Sequence, residues 1–291
     1  MLALVVLVGM GSALVFGSAD FLGGLASKRI SPIRATAIAA AAGLVILGLS
    51  YPIIGGEWSW NAVLFGGLSG VSGALAISLL YACLAIGPMS ILSPLTAVVS
   101  AIVPAAIGIF VRGEHFGTIG YVALGLALAA VVLVGFVRDS RAVHPTPRGI
   151  IMAVASGVFI GLFLVIIDLT PTDSGIVPLI ANRAVNGILM FATVGVLALV
   201  ARRRSRAAPI GSGWRPGLRL AIACGIVDAA ANCGLLLGIR IGDLSVMAVL
   251  TALYPAGTII LAAIVLRERI AVVQYVGLGL AIAAGALLAL D

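Results

Sequence analysis

The side chains with the clearest chemical potential are acids and amides that fall inside long apolar stretches. Asp20 lies within residues 2–26, and Asp228 and Asn232 lie within residues 217–240. An ionised group surrounded by hydrocarbon costs several kcal/mol unless it meets a partner or a water-filled cavity. We therefore predict that Asp20, Asp228 and Asn232 bind a substrate or a proton.

Asp20 and Asp228 are expected at the same depth in the membrane. Asp20 precedes Lys28 by eight residues, and Asp228 follows Arg219 by nine. At about 1.5 Å per residue, these separations place the carboxylates roughly 12 and 13 Å from one membrane face. Asn232 lies one helical turn after Asp228 on the same helix face. This arrangement suits an ammonium group or a transferable proton, although protonated or hydrogen-bonded acids could equally serve only in packing.

A proline inside an apolar segment marks further candidates. Tyr254 and Pro255 lie in the middle of residues 244–266, where proline removes one backbone hydrogen bond. Interrupted helices at corresponding positions of two halves are typical of midplane binding regions in transporters. Thr96 and Thr251 occupy such corresponding positions. Tyr254, Thr96 and Thr251 are therefore predicted to line the site, although an ordinary packing kink would give the same pattern.

Arg183 and Asn186 are expected near the opposite face, because Arg183 precedes Arg202 by roughly one membrane thickness. We expect Arg183 to extend outward to the headgroups. The alternative is that it binds a substrate carboxylate, in which case deep acids and a shallower arginine would suit a zwitterion such as an amino acid. Asp168 and Asp173 are expected at the outer surface and receive no role.

Membrane-spanning helices are predicted to position these residues. Only 9% of the residues are charged and 62% are hydrophobic, whereas about a quarter of the residues in a soluble domain are charged. The apolar segments approach the roughly 20 residues that cross a bilayer. The ten predicted spans are residues 2–26, 32–54, 62–86, 89–111, 117–137, 149–168, 176–201, 217–240, 244–266 and 270–290.

The chain contains an internal repeat. Residues 81–130 resemble residues 236–285, and Leu95-Thr96-Ala97 matches Leu250-Thr251-Ala252. Five spans per unit is an odd number, so the second unit would be inverted in the membrane. We predict an all-α membrane protein whose ten transmembrane helices form two inverted five-helix repeats within one membrane domain. The repeats are residues 1–137 and 149–291, joined by a connecting loop at residues 138–148.

Charge placement predicts the orientation. The connections after odd-numbered spans hold most of the arginines and lysines, whereas those after even-numbered spans hold Arg112, Arg240 and several acids. By the positive-inside rule, the odd-numbered connections are cytoplasmic and both termini face outward. We predict a multi-pass protein of the inner (plasma) membrane. Glu114, just before the fifth span, is expected to favour the positive end of a helix dipole.

Several function classes lack the residues that they would need. The three cysteines fall inside apolar spans without metal-ligand spacing, and the two histidines lie in loops, so no metal site is predicted. No phosphate-binding Gly-x-x-x-x-Gly-Lys-Ser/Thr segment and no nucleophile–base arrangement occurs, so we predict neither a cofactor nor an enzyme. The basic character comes from arginines in short loops, which argues against a nucleic-acid partner.

These features together resemble the drug/metabolite transporter superfamily, and specifically its EamA-type members. The resemblance covers essentially the whole chain through short motifs. They are Gly17-Ser18-Ala19-Asp20-Phe21-Leu22-Gly23-Gly24, Ala85-Ile86-Gly87, Ser90, Gly113-Glu114, Arg240-Ile241-Gly242, Ser245 and Arg267-Glu268-Arg269. The resemblance implies a carrier in which the first four helices of each half surround a central cavity and the fifth helices lie outside. It also implies transport of small metabolites, frequently export of amino acids or related compounds.

Three functions stay open at this point. The first is a secondary transporter that exports a small, polar, amino-acid-like metabolite by alternating access, with proton coupling through Asp228, Asp20 or both. The second is an exporter of lipophilic cations or lipid-linked headgroups, against which an aromatic content of only 6% argues. The third is a non-transporting membrane scaffold. The expected partners are a small-molecule substrate, the lipid bilayer and protons, and the protein is expected to be a monomer or a homodimer.

Overall fold

The chain folds into a bundle of α helices. The computed structural model describes residues 2–27, 29–86, 89–135, 146–203, 214–265 and 272–288. Within those ranges the helices are α1 (Leu2–Ser27), α2 (Pro32–Ile54), α3 (Trp60–Ile86), α4 (Met89–Val111), α5 (Thr118–Gly135), α6 (Pro147–Asp168), α7 (Val177–Arg203), α8 (Arg215–Ile241), α9 (Leu244–Thr251), α10 (Tyr254–Val265) and α11 (Val272–Leu288).

These helices correspond to the predicted spans. Among the described residues, six helices are long and apolar enough to cross a membrane, and four shorter apolar helical segments accompany them. The predicted ninth span is divided into α9 and α10. The all-α membrane architecture is therefore confirmed, while the inversion of the second half stays a prediction. Lys28, most of the predicted loop 138–148 and the turn Arg267-Glu268-Arg269 lie outside the described residues.

The helix neighbours follow one rule. α1 packs along α8 as α6 packs along α3, and α3 packs on α7 as α8 packs on α2. Likewise, α4 packs on α6, while α9 and α10 pack on α1. If α9 and α10 count as the ninth span, each helix of the first half corresponds to the helix five spans later. Replacing both helices of a packed pair by their corresponding helices gives another packed pair. A twofold relation between the halves requires this pattern of neighbours.

Small residues let these helices approach closely. A Cβ at Gly17 of α1 would collide with the Tyr254 carbonyl oxygen of α10, and Thr258 Oγ1 donates to the Gly17 carbonyl oxygen over 3.0 Å. A Cβ at Gly225 of α8 would collide with the Ala39 carbonyl oxygen of α2. Because hydrophobic burial contributes little between helices in lipid, such close packing is a main source of their cohesion.

The connections after even-numbered spans are tied to one another. Backbone hydrogen bonds join the connection after α2 to the connection after α6. Arg240, near the end of α8, donates to Ser174 Oγ over 3.0 Å. Arg112, just after α4, forms an ion pair with Asp168 at the end of α6. Asp168 is therefore not at the surface as expected: its side chain is 8% exposed because it is buried against Arg112.

Glu114 caps a helix of the other half. Its Oε1 and Oε2 atoms accept hydrogen bonds from the Leu244 and Ser245 N–H groups at 3.0 and 3.1 Å. These groups begin α9, where Asp243 makes no side-chain cap of its own. Glu114 thus caps α9 and not α5, the helix that follows it in the sequence. The unpaired N–H groups and positive dipole end of α9 attract the carboxylate.

Candidate functional site

The bundle contains a polar cavity. Its volume is about 150 Å³, which is ample for a small metabolite with water, because roughly 10–15 Å³ holds one water molecule. Residues of α1, α3, α6, α7, α8, α9 and α10 line it, whereas the described residues of the fifth helices, α5 and α11, do not. The polar residues of the wall are Asp20, Asn182, Arg183, Asn186, Asp228, Asn232, Thr251 and Tyr254.

Arg183 of α7 and Asp228 of α8 form an ion pair in the cavity wall. Arg183 Nη2 contacts Asp228 Oδ2, and the two side chains are 12% and 24% exposed. Asn232 Nδ2, one turn further along α8, donates to the Asp228 carbonyl oxygen at 2.8 Å and to Oδ1 at 3.3 Å. The pair neutralises both charges, so removal of either partner would leave the other uncompensated in a half-buried position.

The expectation that Arg183 extends outward to the headgroups is wrong. Arg183 lies six residues after the start of α7, which is roughly 9 Å along the helix axis. Its long side chain turns inward to Asp228 instead, and its Cδ and Nε lie beside Gly43 of α2. A residue count locates the Cα atom but not the guanidinium, and the attraction of Asp228 decides which way the side chain points.

Asp20 faces the same cavity from α1. Its side chain is exposed to the cavity, and among the described residues it has neither a hydrogen bond nor an ion pair. It is close enough to Asp228 for the two carboxylates to interact electrostatically. With all three groups ionised, the two acids and one arginine would carry a net charge of −1. The predicted pair of acids therefore meets in one space, but in the described part of the chain only Asp228 of the two has a counter-ion.

The break between α9 and α10 places two predicted residues in the wall. Thr251 ends α9, Tyr254 begins α10, and both line the cavity. Pro255 has no N–H group to donate to the Thr251 carbonyl, which weakens the helix at this point. The Leu253 N–H donates to Leu250 over 3.1 Å, a tighter turn than in an α helix. Thr251 Oγ1 is buried and has no hydrogen-bond partner among the described residues.

Thr96 does not line the cavity, although sequence equivalence with Thr251 placed it there. Its side chain is fully buried, and Oγ1 donates to the Leu92 and Ala153 carbonyl oxygens at 3.0 and 3.1 Å. Thr96 therefore joins α4 to α6. The difference arises because α4 is one continuous helix, whereas the break at the equivalent point of the second half turns Thr251 toward the cavity.

Two amides of α7 complete the polar wall. Asn186, a predicted site residue, is buried, and its Oδ1 has no hydrogen-bond partner in the described part of the chain. Asn182, which sequence reasoning missed, donates from Nδ2 to Ser69 Oγ over 2.8 Å. Its spacing of four residues from Asn186 was the available signal, since it puts both amides on one helix face. α7 and α8 thus supply most of the polar groups.

Three aromatic side chains, Phe16, Phe163 and Tyr254, line the same cavity. Phe16 lies one helical turn before Asp20 on α1. The low aromatic content of the whole chain led to the expectation that few rings would be available to a cation. These rings share the cavity with Asp20, for which the described residues provide no counter-ion, so the overall composition was a poor guide to this site.

Apolar helices packed around a charged cavity define an integral membrane protein with a polar interior site. Residues 147–290 match the model of the EamA-like transporter family. The predicted resemblance is thereby confirmed. The family match indicates a membrane transporter of small molecules, and the family consists of transporters rather than enzymes.

A solved crystal structure of another protein shares the fold. The two structures agree with a TM-score of 0.73 over 97% of this chain and 95% of the other, at 18% sequence identity. At that identity the likeness concerns the fold alone. A search of curated protein sequences finds no match to the chain.

Proposed function

We propose that the chain is a secondary transporter that exports a small, polar, amino-acid-like metabolite by alternating access, coupled to protons. The observation that carries the proposal is the convergence of Asp20, Arg183 and Asp228 on one cavity among membrane-spanning helices. Groups of both charges suit a substrate with an ammonium and a carboxylate group. A scaffold would not explain a carboxylate, Asp20, that faces the cavity and has no partner among the described residues.

Each polar group has a role in this proposal. Asp20 binds the ammonium group, because its carboxylate faces the cavity and no described residue provides it with a counter-ion. Arg183 leaves Asp228 and forms an ion pair with the substrate carboxylate instead. Asp228, once released, accepts a proton, and this uptake couples transport to the proton gradient. Asn186 and Asn232 provide hydrogen bonds that orient the substrate, while Thr251 and Tyr254 contribute hydroxyl groups at the helix break.

Hydrogen bonds and an ion pair join the connections after even-numbered spans. These contacts support a state that is closed on the face that carries these connections. By the charge-based prediction, the opposite face is cytoplasmic. Such a state would load its substrate from the cytoplasm, which is the first step of export. Placement in the inner (plasma) membrane and function as a monomer or a homodimer belong to the same proposal.

Counterflow in proteoliposomes tests the proposal with radiolabelled amino acids. We expect uptake above that of protein-free vesicles, and faster uptake when a pH gradient is imposed. Asp20→Asn and Asp228→Asn should each slow transport at least tenfold. Asp173→Asn, an exposed acid outside the cavity, is the matched control and should leave the rate unchanged. Undiminished flux in the double variant Asp20→Asn, Asp228→Asn would refute the assigned roles.

A second candidate is export of organic cations, which the aromatic rings in the same cavity as Asp20 favour. A cation gains roughly 0.5–2 kcal/mol over an aromatic face, and a monovalent cation would neutralise the net charge of the cavity. Tetrapropylammonium is a suitable probe because it has no carboxylate for Arg183. Transport of tetrapropylammonium without transport of any amino acid would select this candidate over the first.

A further inference from the structure

A second cavity adjoins the polar one. Its volume is about 240 Å³, and it lies between the start of α2, the later part of α3 and the middle of α7. Ile77 of α3 is the residue that lines both cavities. This side chain therefore stands between the second cavity and the polar site.

The second cavity extends inward from the face that carries the odd-numbered connections. At its outer end, Ser31 belongs to the connection between α1 and α2, and Pro32 begins α2. Ser78 lies eight residues before the end of α3, which is roughly 12 Å below that face. On the opposite face, Glu114 and Arg112 tie the connections together. The second cavity thus approaches the site from the face opposite those ties.

The wall of the second cavity is apolar in character. Ile33, Ile77 and Met190 contribute carbon and sulfur atoms. Thr36 Oγ1 and Ser78 Oγ donate within their own helices, to the Pro32 and Ala74 carbonyl oxygens at 3.1 and 2.7 Å. These two hydroxyl hydrogens are therefore not offered to a ligand. Such a wall suits an apolar group, whereas a bare charge in it would remain poorly solvated.

We propose that the second cavity is the entrance to the polar site and that Ile77 limits the width of what passes. This inference rests on the transport function proposed above, and it assigns to the substrate a compact apolar side chain in addition to its charged groups. The apolar part occupies the second cavity first, and rotation of Ile77 then admits the substrate to Asp20. α2 and α3 both pack on α7 rather than along each other, which leaves the necessary space.

Cysteine labelling tests the entrance without requiring transport. In a background with all three native cysteines replaced by alanine, Asp20→Cys reports the arrival of a small neutral methanethiosulfonate in the polar cavity. We expect Ile77→Trp to slow the labelling at least tenfold and Ile77→Ala to accelerate it severalfold. Leu75→Trp is the matched control, because Leu75 lies on the same helix, is 44% exposed and lines neither cavity. Equal rates in all variants would overturn the proposal.

A second reporter, Met190→Cys, distinguishes the possible occupants of the second cavity. Protection by leucine but not by glycine supports the entrance. Protection by phospholipid that leucine does not change would mean that an acyl chain fills the cavity, and it would overturn the proposal. A changed labelling rate in the Ile77 variants, without transport of any amino acid in counterflow, would support the entrance and refute the proposed substrate.

Discussion

Replacement of Glu114 by glutamine tests how the two halves are held together. In the native chain both carboxylate oxygens accept N–H groups at the start of α9. Glutamine keeps one acceptor oxygen, but it turns an NH₂ group toward the other N–H donor. The variant therefore loses one charge-assisted hydrogen bond and the negative charge at a helix N-terminus, while the volume of the side chain stays the same.

The expected loss follows from these two contributions. A hydrogen bond to a charged group contributes about 1.5–3 kcal/mol, and a negative charge at a helix N-terminus contributes about 0.3–1 kcal/mol. Because Glu114 is partly exposed, we expect the free energy of unfolding to fall by about 2–3 kcal/mol. At roughly 2–4 °C per kcal/mol, the melting temperature should fall by about 4–12 °C. Thermal unfolding in detergent, followed by tryptophan fluorescence, measures the shift.

Glu57→Gln provides the control for the Glu114 variant. Glu57 lies exposed in a connection on the same face, so the same chemical change should leave the melting temperature within error. Equal melting temperatures for the Glu114 and Glu57 variants would refute the reasoning, because the cap would then contribute nothing beyond an exposed charge.

Further predictions concern the charges and the helix crossings. Burial raises the pKa of Asp243, and the charge of Glu114 raises it further. Ionisation of Asp243 therefore lowers the stability of the fold as pH rises from the ordinary aspartate pKa through the raised one. Asp243→Asn should consequently raise the melting temperature at neutral pH, but not below about pH 3.9. Asp228→Asn leaves Arg183 uncompensated and should lower the free energy of unfolding by about 3–5 kcal/mol. Combining it with Arg183→Gln should cost less than the two single changes added together, and additive losses in a denaturation series would count against the ion pair. Gly17→Val should abolish a monodisperse peak in size-exclusion chromatography, whereas Gly24→Val, which has open space around it, should keep one.

The helices were largely predictable because both of their ends are marked in the sequence. The predicted spans 32–54 and 89–111 coincide with α2 and α4. α6 begins at Pro147, two residues before its predicted start, because Thr146 accepts a hydrogen bond from the Gly149 N–H and caps it. The position of Pro255 indicated a disturbance of the ninth span. Its division into two helices depends on the packing around it, which a local pattern does not contain.

Part of the candidate site was predictable because an ionised side chain in an apolar helix costs free energy. That argument found Asp20 and Asp228, which line one cavity. Counting residues along α7 misplaced the guanidinium of Arg183, because the direction of a long side chain depends on the partner that it meets. Repeat equivalence likewise misplaced Thr96, since equivalent residues differ when only one of the two helices is broken. Phe16 and similar rings were missed because an aromatic residue in an apolar helix is indistinguishable by pattern from one that only fills the core.

The ion pair between Arg183 and Asp228 also has a mechanical consequence. α7 and α8 touch each other little, and both pack against α2 instead. The pair is therefore a direct link between two helices that otherwise communicate through a third. A ligand that draws Arg183 away from Asp228 would uncouple α7 from α8 in the same step, so that occupancy of the cavity itself would permit the helices to shift.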